Sequence, residues 1–195
     1  MKLLESFNIT VKKLTEAGAE SPAFDASELI SYVTQSRFSP RLFEDRELTE
    51  KEETFLCELA QRRAQGEPLQ YILGQWEFYG FPFKVGKGVL IPRDDTEVAL
   101  RASFEHLNRT ENPKILDLCA GSGTLSVTLK KLYLNAEVTA VEISDDAFFY
   151  LEENAKLNNA DINMIKGDIF EVCENFEDKS FNLIISNPPT SPQKS

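Results

Sequence analysis

The stretch 114-KILDLCAGSGTLS-126 decides how the chain is read: a short apolar run, a turn built on two glycines, then the start of an amphipathic segment. "KILDL" has the composition of a buried strand. Gly121 and Gly123 let the following backbone turn tightly and approach a ligand, because Gly has no Cβ and tolerates positive φ. By shape this is a cofactor turn between a strand and a helix. A nicotinamide-dinucleotide fingerprint opening at Gly121 would need a third Gly at position 126, and Ser126 stands there instead. That departure weighs against a dehydrogenase.

Three more short apolar runs follow, "EVTAVEI" (137–143), "INMIKGD" (162–168) and "FNLIIS" (181–186), separated by helical stretches such as "SDDAFFYLEENAKLNN" (144–159). The alternation predicts a parallel sheet with helices on its faces. The 181–186 run is the most uniformly apolar and predicts a central strand. Glu142 ends the second run and is placed to accept hydrogen bonds from ribose hydroxyls at the switch point of such a sheet. Asp168 ends the third. Each acid alone reads as a solvated strand end; together, beside a Gly loop, they mark a cofactor site.

After the fourth run come Asn187, Pro188 and Pro189. Asn before two prolines is held extended, and Pro offers carbonyl acceptors without competing N–H donors. Such a corner clamps an amino group. If the Asn187 side-chain oxygen and the Pro188 carbonyl each accept one N–H of a planar –NH2, the nitrogen is oriented to take a methyl group in line from a sulfonium. Catalysis would then come from positioning and from electrostatics at the nitrogen.

Working back toward the N-terminus, "GQWEFYGFPFKVGKGVLIPR" (74–93) alternates aromatic or branched residues with polar ones and carries Gly80, Gly86 and Gly88. It predicts a β-hairpin connector. Trp76, Phe78, Phe81 and Phe83 lack interleaved basic residues, so core packing is favoured over base stacking. Upstream the signals are helical. Leu3, Phe7, Val11 and Leu14 share one face, Gly18 follows in the C′ position, and Ser21-Pro22 and Ser39-Pro40 place a cap residue before Pro. Thr49-x-x-Glu52 is a capping box opening a helix that points Phe55, Leu56 and Leu59 one way and ends at Gly66.

The 195 residues, 42% hydrophobic and 27% charged, suffice for two small domains or one of ordinary size. A formal net charge of −11 opposes loose association with nucleic-acid backbones or anionic lipid. Cys57, Cys119 and Cys173 form no Cys-x-x-Cys pair, so neither a disulfide framework nor a metal site is indicated, and the thiols read as reduced and cytoplasmic. No signal peptide or membrane span is predicted. His106, in "RASFEHLNR", reads as a helix surface rather than a catalytic base.

Taken whole, residues 1–189 resemble the HemK-like release-factor glutamine methyltransferases. The likeness rests on 68-PLQYILG-74 and 91-IPRDDTE-97 as well as the Gly loop and Asn-Pro-Pro. It implies an α/β fold in three parts. These are a helical release-factor-binding bundle over 1–73, a β-hairpin linker over 74–92, and over 93–195 the first half of a Rossmann-like class I methyltransferase sheet, its C-terminal strands missing. It implies S-adenosylmethionine as cofactor, lined by Asp117, Cys119, Ala120, Gly121, Ser122, Gly123 and Asn187, with Glu142 on its ribose and Asp168 and Ile169 bordering its adenine. Asn187, Pro188 and Pro189 would hold the side-chain amide of the Gln in the Gly-Gly-Gln loop of a release factor, a methylation that belongs to translation termination. Arg93 and Thr96 are candidates for shaping the cofactor entrance.

Two departures stand out. Cys119 occupies the place of the family's first loop Gly, and Thr190 that of the Tyr in Asn-Pro-Pro-Tyr. Placing one T before codons for Thr-Ser-Pro-Gln-Lys-Ser gives Tyr, an apolar residue, two small residues and two Lys or Glu, which is family-like. A one-base loss after Pro189 is therefore expected, and the chain as written is expected to be weak or inactive in methyl transfer. The alternatives are methylation of an adenine amino group in nucleic acid, and a non-catalytic release-factor-binding fragment.

Overall fold

The computed structural model describes residues 1–39 and 46–188. The chain divides into two units, Met1–Gly74 and Gln75–Ser195.

The first unit packs α1 (Leu3–Glu16), α2 (Pro22–Thr34), α3 (Glu50–Ala64) and the short α4 (Leu69–Leu73) on one another. The end of α1 is a Schellman motif: Gly18 N–H donates to Thr15 O and Ala19 N–H to Leu14 O, both at 3.0 Å. Leu3, Ser6, Thr10 and Leu14 form its buried face, with small polar residues where the chain needs close contact. Ser21 stands at the N-cap of α2, with Pro22 following, yet its side chain makes no capping bond. The Ser39-Pro40 signal falls partly outside the described residues. At α3 both halves of the capping box are made: Thr49 N–H donates to Glu52 Oε2 at 2.8 Å and Glu52 N–H to Thr49 Oγ1 at 3.3 Å. The Thr49 N–H, and then the Thr49 hydroxyl donating to Oε2 at 2.9 Å, hold the Glu52 carboxyl below its ordinary range. The expected α3 face needs one correction, since Leu56, Leu59 and Ala60 are buried while Phe55 is 41% exposed. Phe55 lies at the rim, its ring 6.2 Å from that of Tyr32. Asp25 of α2 accepts from Arg63 Nε of α3 at 2.7 Å, an ion pair almost wholly buried on the acid side.

The second unit opens with β1 (Gln75–Phe78) and β2 (Phe81–Lys84), paired antiparallel. Tyr79 and Gly80 both have positive φ, the signature of a two-residue type I′ hairpin turn. The segment read from sequence as a linker is part of this unit's core: Phe78 and Phe83 are buried with Leu100, Leu107 and Ile115. Next come α5 (Asp94–Leu107), β3 (Lys114–Leu118), α6 (Thr124–Leu132), β4 (Glu137–Glu142), α7 (Asp145–Leu157), β5 (Asn163–Lys166), α8 (Ile169–Cys173) and β6 (Leu183–Ser186). Among the described residues β5-β4-β3-β6 form one parallel sheet in that order. Sequential strands step one way from β3 to β5, and the next crosses to the other side of β3, which creates a switch point between β3 and β6. Ile115, Leu116 and Asp117 are all buried, as a strand covered on both faces requires. Among the described residues β3 and β4 are the inner strands. Within the described residues β6 pairs with β3 alone, and its Ile184 is 59% exposed, so the central place expected for 181–186 is not observed there. No described helix is long and apolar enough to cross a membrane.

Candidate functional site

Because β3 and β6 are parallel neighbours with Leu118 opposite Ser186, the residues after them leave the sheet side by side. Ser186 Oγ ties the two ends together by donating to Leu118 O at 2.8 Å. Thus Cys119–Gly123 and Asn187–Pro188 leave from adjacent strand ends at the switch point, where open α/β sheets bind ligands. A cavity of about 50 Å³ lies between them, lined by Asp117, Cys119, Ala120, Gly121, Ser122 and Asn187, with Thr96 of α5 and the 90–92 segment. The structure therefore brings together seven of the residues singled out from sequence, Thr96 among them. Gly123, Glu142, Asp168, Ile169 and Pro188 are outside its lining, and Pro189 and Thr190 lie outside the described residues.

Asp117 is 1% exposed. Its Oδ2 accepts from the Ser126 N–H at 3.1 Å, while Oδ1 has no hydrogen-bond partner among the described residues. Burial pushes its carboxyl up to about 7, against the pull of Ser126 and with a smaller push from Glu142. A buried carboxyl with one free oxygen at a cavity wall is a ready acceptor for a ligand donor.

Cys119 has φ +59°, the left-handed conformation that Gly adopts more cheaply. The side chain is thus accommodated with backbone strain, and burial, followed by Glu142, raises the thiol above its ordinary value. Gly123, at φ +80°, is pressed against α7, where a Cβ would meet Leu151 Cδ1 at 2.5 Å. A Cβ on Gly121 would meet nothing within 4 Å. One glycine serves packing and the other faces open space.

Glu142 is 7% exposed and accepts three backbone donors: Ile143 and Ser144 N–H on Oε1 at 2.9 and 2.8 Å, and Gly121 N–H on Oε2 at 2.8 Å. The residue read as a ribose acceptor therefore also shapes the Gly loop, and only Oε2 keeps a spare lone pair. Asp168 caps α8, accepting from Phe170 N–H at 2.8 Å, and both it and Ile169 are half-buried. Asn187 and Pro188 are exposed, and Asn187 Nδ2 donates to Thr96 Oγ1 at 3.3 Å. Arg93 is exposed and contributes its carbonyl to the Thr96 N–H at 2.9 Å. His106 is a surface residue whose Nε2 bonds the Asn182 carbonyl at 2.8 Å.

Residues 5–74 match the PrmC N-terminal domain and residues 92–195 the methyltransferase small domain. The release factor glutamine methyltransferase of Deinococcus radiodurans is 34% identical over 193 residues, covering 98% of this chain and 68% of that protein. The chain belongs to the release factor glutamine methyltransferase family. The Fusobacterium nucleatum relative of the same name is 35% identical over 95% of this chain and 53% of its own length. The chain thus spans between about half and two thirds of these relatives' lengths. Among solved structures, the T. thermophilus 16S rRNA N2 G1207 methyltransferase, in complex with AdoMet and guanosine, aligns with TM-score 0.51 and 25% identity over 61% of this chain and 33% of that one.

Asn154 is the residue that motif reading missed in this family member. It is fully buried on α7, and its side chain exchanges bonds with Lys84 N–H (2.6 Å) and Lys84 O (3.0 Å) and donates to Ser122 O at 2.9 Å. One amide thereby joins the hairpin to the Gly loop, and Asn158 adds a bond to Pro82 O at 2.9 Å. The signal was present in the helix period: Ala147, Leu151, Asn154 and Asn158 fall on one stripe, which puts two amides on the buried face.

Proposed function

We propose that this chain contributes the cofactor loop and amide clamp of an S-adenosylmethionine-dependent methyltransferase acting on the side-chain amide of a release-factor Gln. The observation that carries the reading is the meeting of Asp117, the Cys119–Ser122 loop and Asn187 around one cavity. The residues fit a cationic, hydroxyl-bearing ligand. Asp117 Oδ1 is a buried acceptor without a partner among the described residues, Gly121 faces open space, and Glu142 Oε2 retains acceptor capacity. Asp117, Cys119, Ala120, Gly121, Ser122, Gly123, Glu142, Asp168 and Ile169 would hold the cofactor, which supplies an electrophilic methyl group on sulfonium sulfur.

The chain's own part is orientation. The Asn187 side-chain oxygen and the Pro188 carbonyl accept the two N–H bonds of the target amide, fixing its plane and drawing electron density toward nitrogen. Held in this way, the nitrogen meets the methyl donor without a search over orientations. The PrmC N-terminal domain match supports a release factor as the protein bound by residues 5–74.

The likeness to an rRNA N2 methyltransferase favours a second reading, a nucleobase amino group as target. The net charge of −11 favours the protein substrate. The experiment is to incubate the chain with methyl-labelled cofactor and either a release factor or ribosomal RNA, then map the label by mass spectrometry. Label on the Gly-Gly-Gln glutamine supports the proposal, and label on RNA supports the second reading. Release-factor binding without label would leave a binding role only.

A further inference from the structure

We propose that Thr96 is a positioning residue that fixes which face of the Asn187 amide meets the substrate. This rests on the clamp reading above. Asn side chains turn over by half a rotation with little change in shape, exchanging a donor for an acceptor. A clamp that accepts N–H bonds from a planar –NH2 works only when Oδ1 faces the substrate, since Nδ2 in that place would set donor against donor. Nδ2 must therefore find an acceptor on the other side.

Thr96 supplies it. Asn187 Nδ2 donates to Thr96 Oγ1 at 3.3 Å; Asn187 is exposed, but Thr96 is 4% exposed, so the acceptor is held in the packed first turn of α5. The position of Thr96 is itself fixed by its N–H bond to Arg93 O at 2.9 Å in the first turn of α5. The same helix reaches the far end of β6 through His106 Nε2, 2.8 Å from the Asn182 carbonyl. Ten helical residues from Thr96 to His106 rise about 15 Å, and five extended residues from Asn182 to Asn187 span about 16 Å. Helix and strand run antiparallel with matched lengths, so α5 holds both ends of β6. Thr96 is the point where that grip reaches the clamp. Its place in 91-IPRDDTE-97, 91 residues before Asn187, is explained by this contact.

The test compares Thr96→Val, which keeps shape and removes the acceptor, with Thr96→Ser, which restores it. The first readout is the Asn187 side-chain amide pair in a ¹⁵N NMR spectrum of the full chain, assigned by its loss in Asn187→Asp. Thr96→Val is expected to shift these resonances and speed their exchange with water, while Thr96→Ser leaves them near their wild-type positions. The second readout is binding of a Gly-Gly-Gln peptide in the presence of S-adenosylhomocysteine. It is expected to weaken about tenfold in Thr96→Val, the size of one neutral hydrogen bond, and to recover in Thr96→Ser. Superimposable Asn187 amide signals in wild type and Thr96→Val, or equal impairment by Val and Ser, overturns the inference. If Thr96→Val does not fold, Thr96→Ala replaces it in the same comparison. Failure of the wild-type chain to bind either cofactor or peptide counts against the function reading, and the NMR comparison still decides the role of Thr96.

Discussion

Replacing Asp117 by Asn should change how stability depends on pH, and by a predictable amount. The Asp117 carboxyl ionises near 3.8 in an unfolded chain and near 7 in the folded one, because burial disfavours its charge. Below the lower value both states hold the proton, and the group leaves stability unaffected. Between the two values the unfolded chain has ionised and the folded one has not, so folding takes up a proton and stability falls as pH rises. Above the upper value both are ionised and the loss is complete. Integrating this difference gives a loss of about 2.5 kcal/mol between pH 5 and pH 8 from this residue alone. Asp117→Asn keeps an oxygen for the Ser126 N–H and has no charge to place. Its stability relative to wild type should therefore rise by about that amount across the interval. Urea denaturation followed by fluorescence is the assay. Trp76 is the one tryptophan and lies in the Gln75–Ser195 unit, so its signal reports the unit that contains Asp117. Parallel pH profiles for the two proteins would show that folded Asp117 ionises normally, and the account of its burial would be wrong.

Four further substitutions probe the loop and the amide that anchors it. Cys119→Gly removes a side chain from a φ of +59° and should raise the unfolding free energy read from urea titration by about 0.5 kcal/mol after the extra entropy of Gly is counted. Gly123→Ala brings a Cβ to 2.5 Å from Leu151 Cδ1 and should cost about 2–3 kcal/mol, whereas Gly121→Ala meets no neighbour and should cost about 1 kcal/mol in the same titration. Cofactor titration should reverse their order, with the better-folded Gly121→Ala binding more weakly than its small stability loss explains. Asn154→Ala strips partners from Lys84 N–H and Ser122 O and should cost about 2–4 kcal/mol, with faster amide hydrogen exchange at Lys84 as the local signature.

The parts of the fold legible in the sequence are those fixed by local chemistry. Strand β3 announces itself because burial on both faces leaves Ile115, Leu116 and Leu118 as an apolar run broken only by Asp117, and the capping box at Thr49 and Glu52 is made as written. Apolar content reports burial, not the identity of neighbours, which is why 181–186 suggested a central strand and pairs among the described residues with β3 alone. Phe55 misled for a related reason: it is one step around the helix from Leu59, close enough to share a pattern but far enough to end at the rim. The hairpin's attachment was invisible because its bonds come from Asn154 and Asn158, about 70 residues downstream and outside any motif. At the site, Asp117, the Gly loop and Asn187 were legible as residue types. Their convergence depends on the order of β3 and β6, and the division of labour among the acids depends on which backbone amides each one meets.

That division gives the site its chemical bias. Three carboxyl groups gather at successive strand ends, and the fold treats each differently. Glu142 is engaged by three backbone N–H groups and Asp168 by the N–H of Phe170. Asp117 lines the cavity, its buried Oδ1 has no partner among the described residues, and burial works against its charge. A neutral ligand donor there would relieve the missing hydrogen bond only. A cationic donor would relieve it and also draw the proton from Asp117, because an opposite charge restores the ionised form that burial opposes. The preference for a positively charged ligand is thus built into the acid left unsatisfied among the described residues, and Glu142 holds the Gly loop beside it.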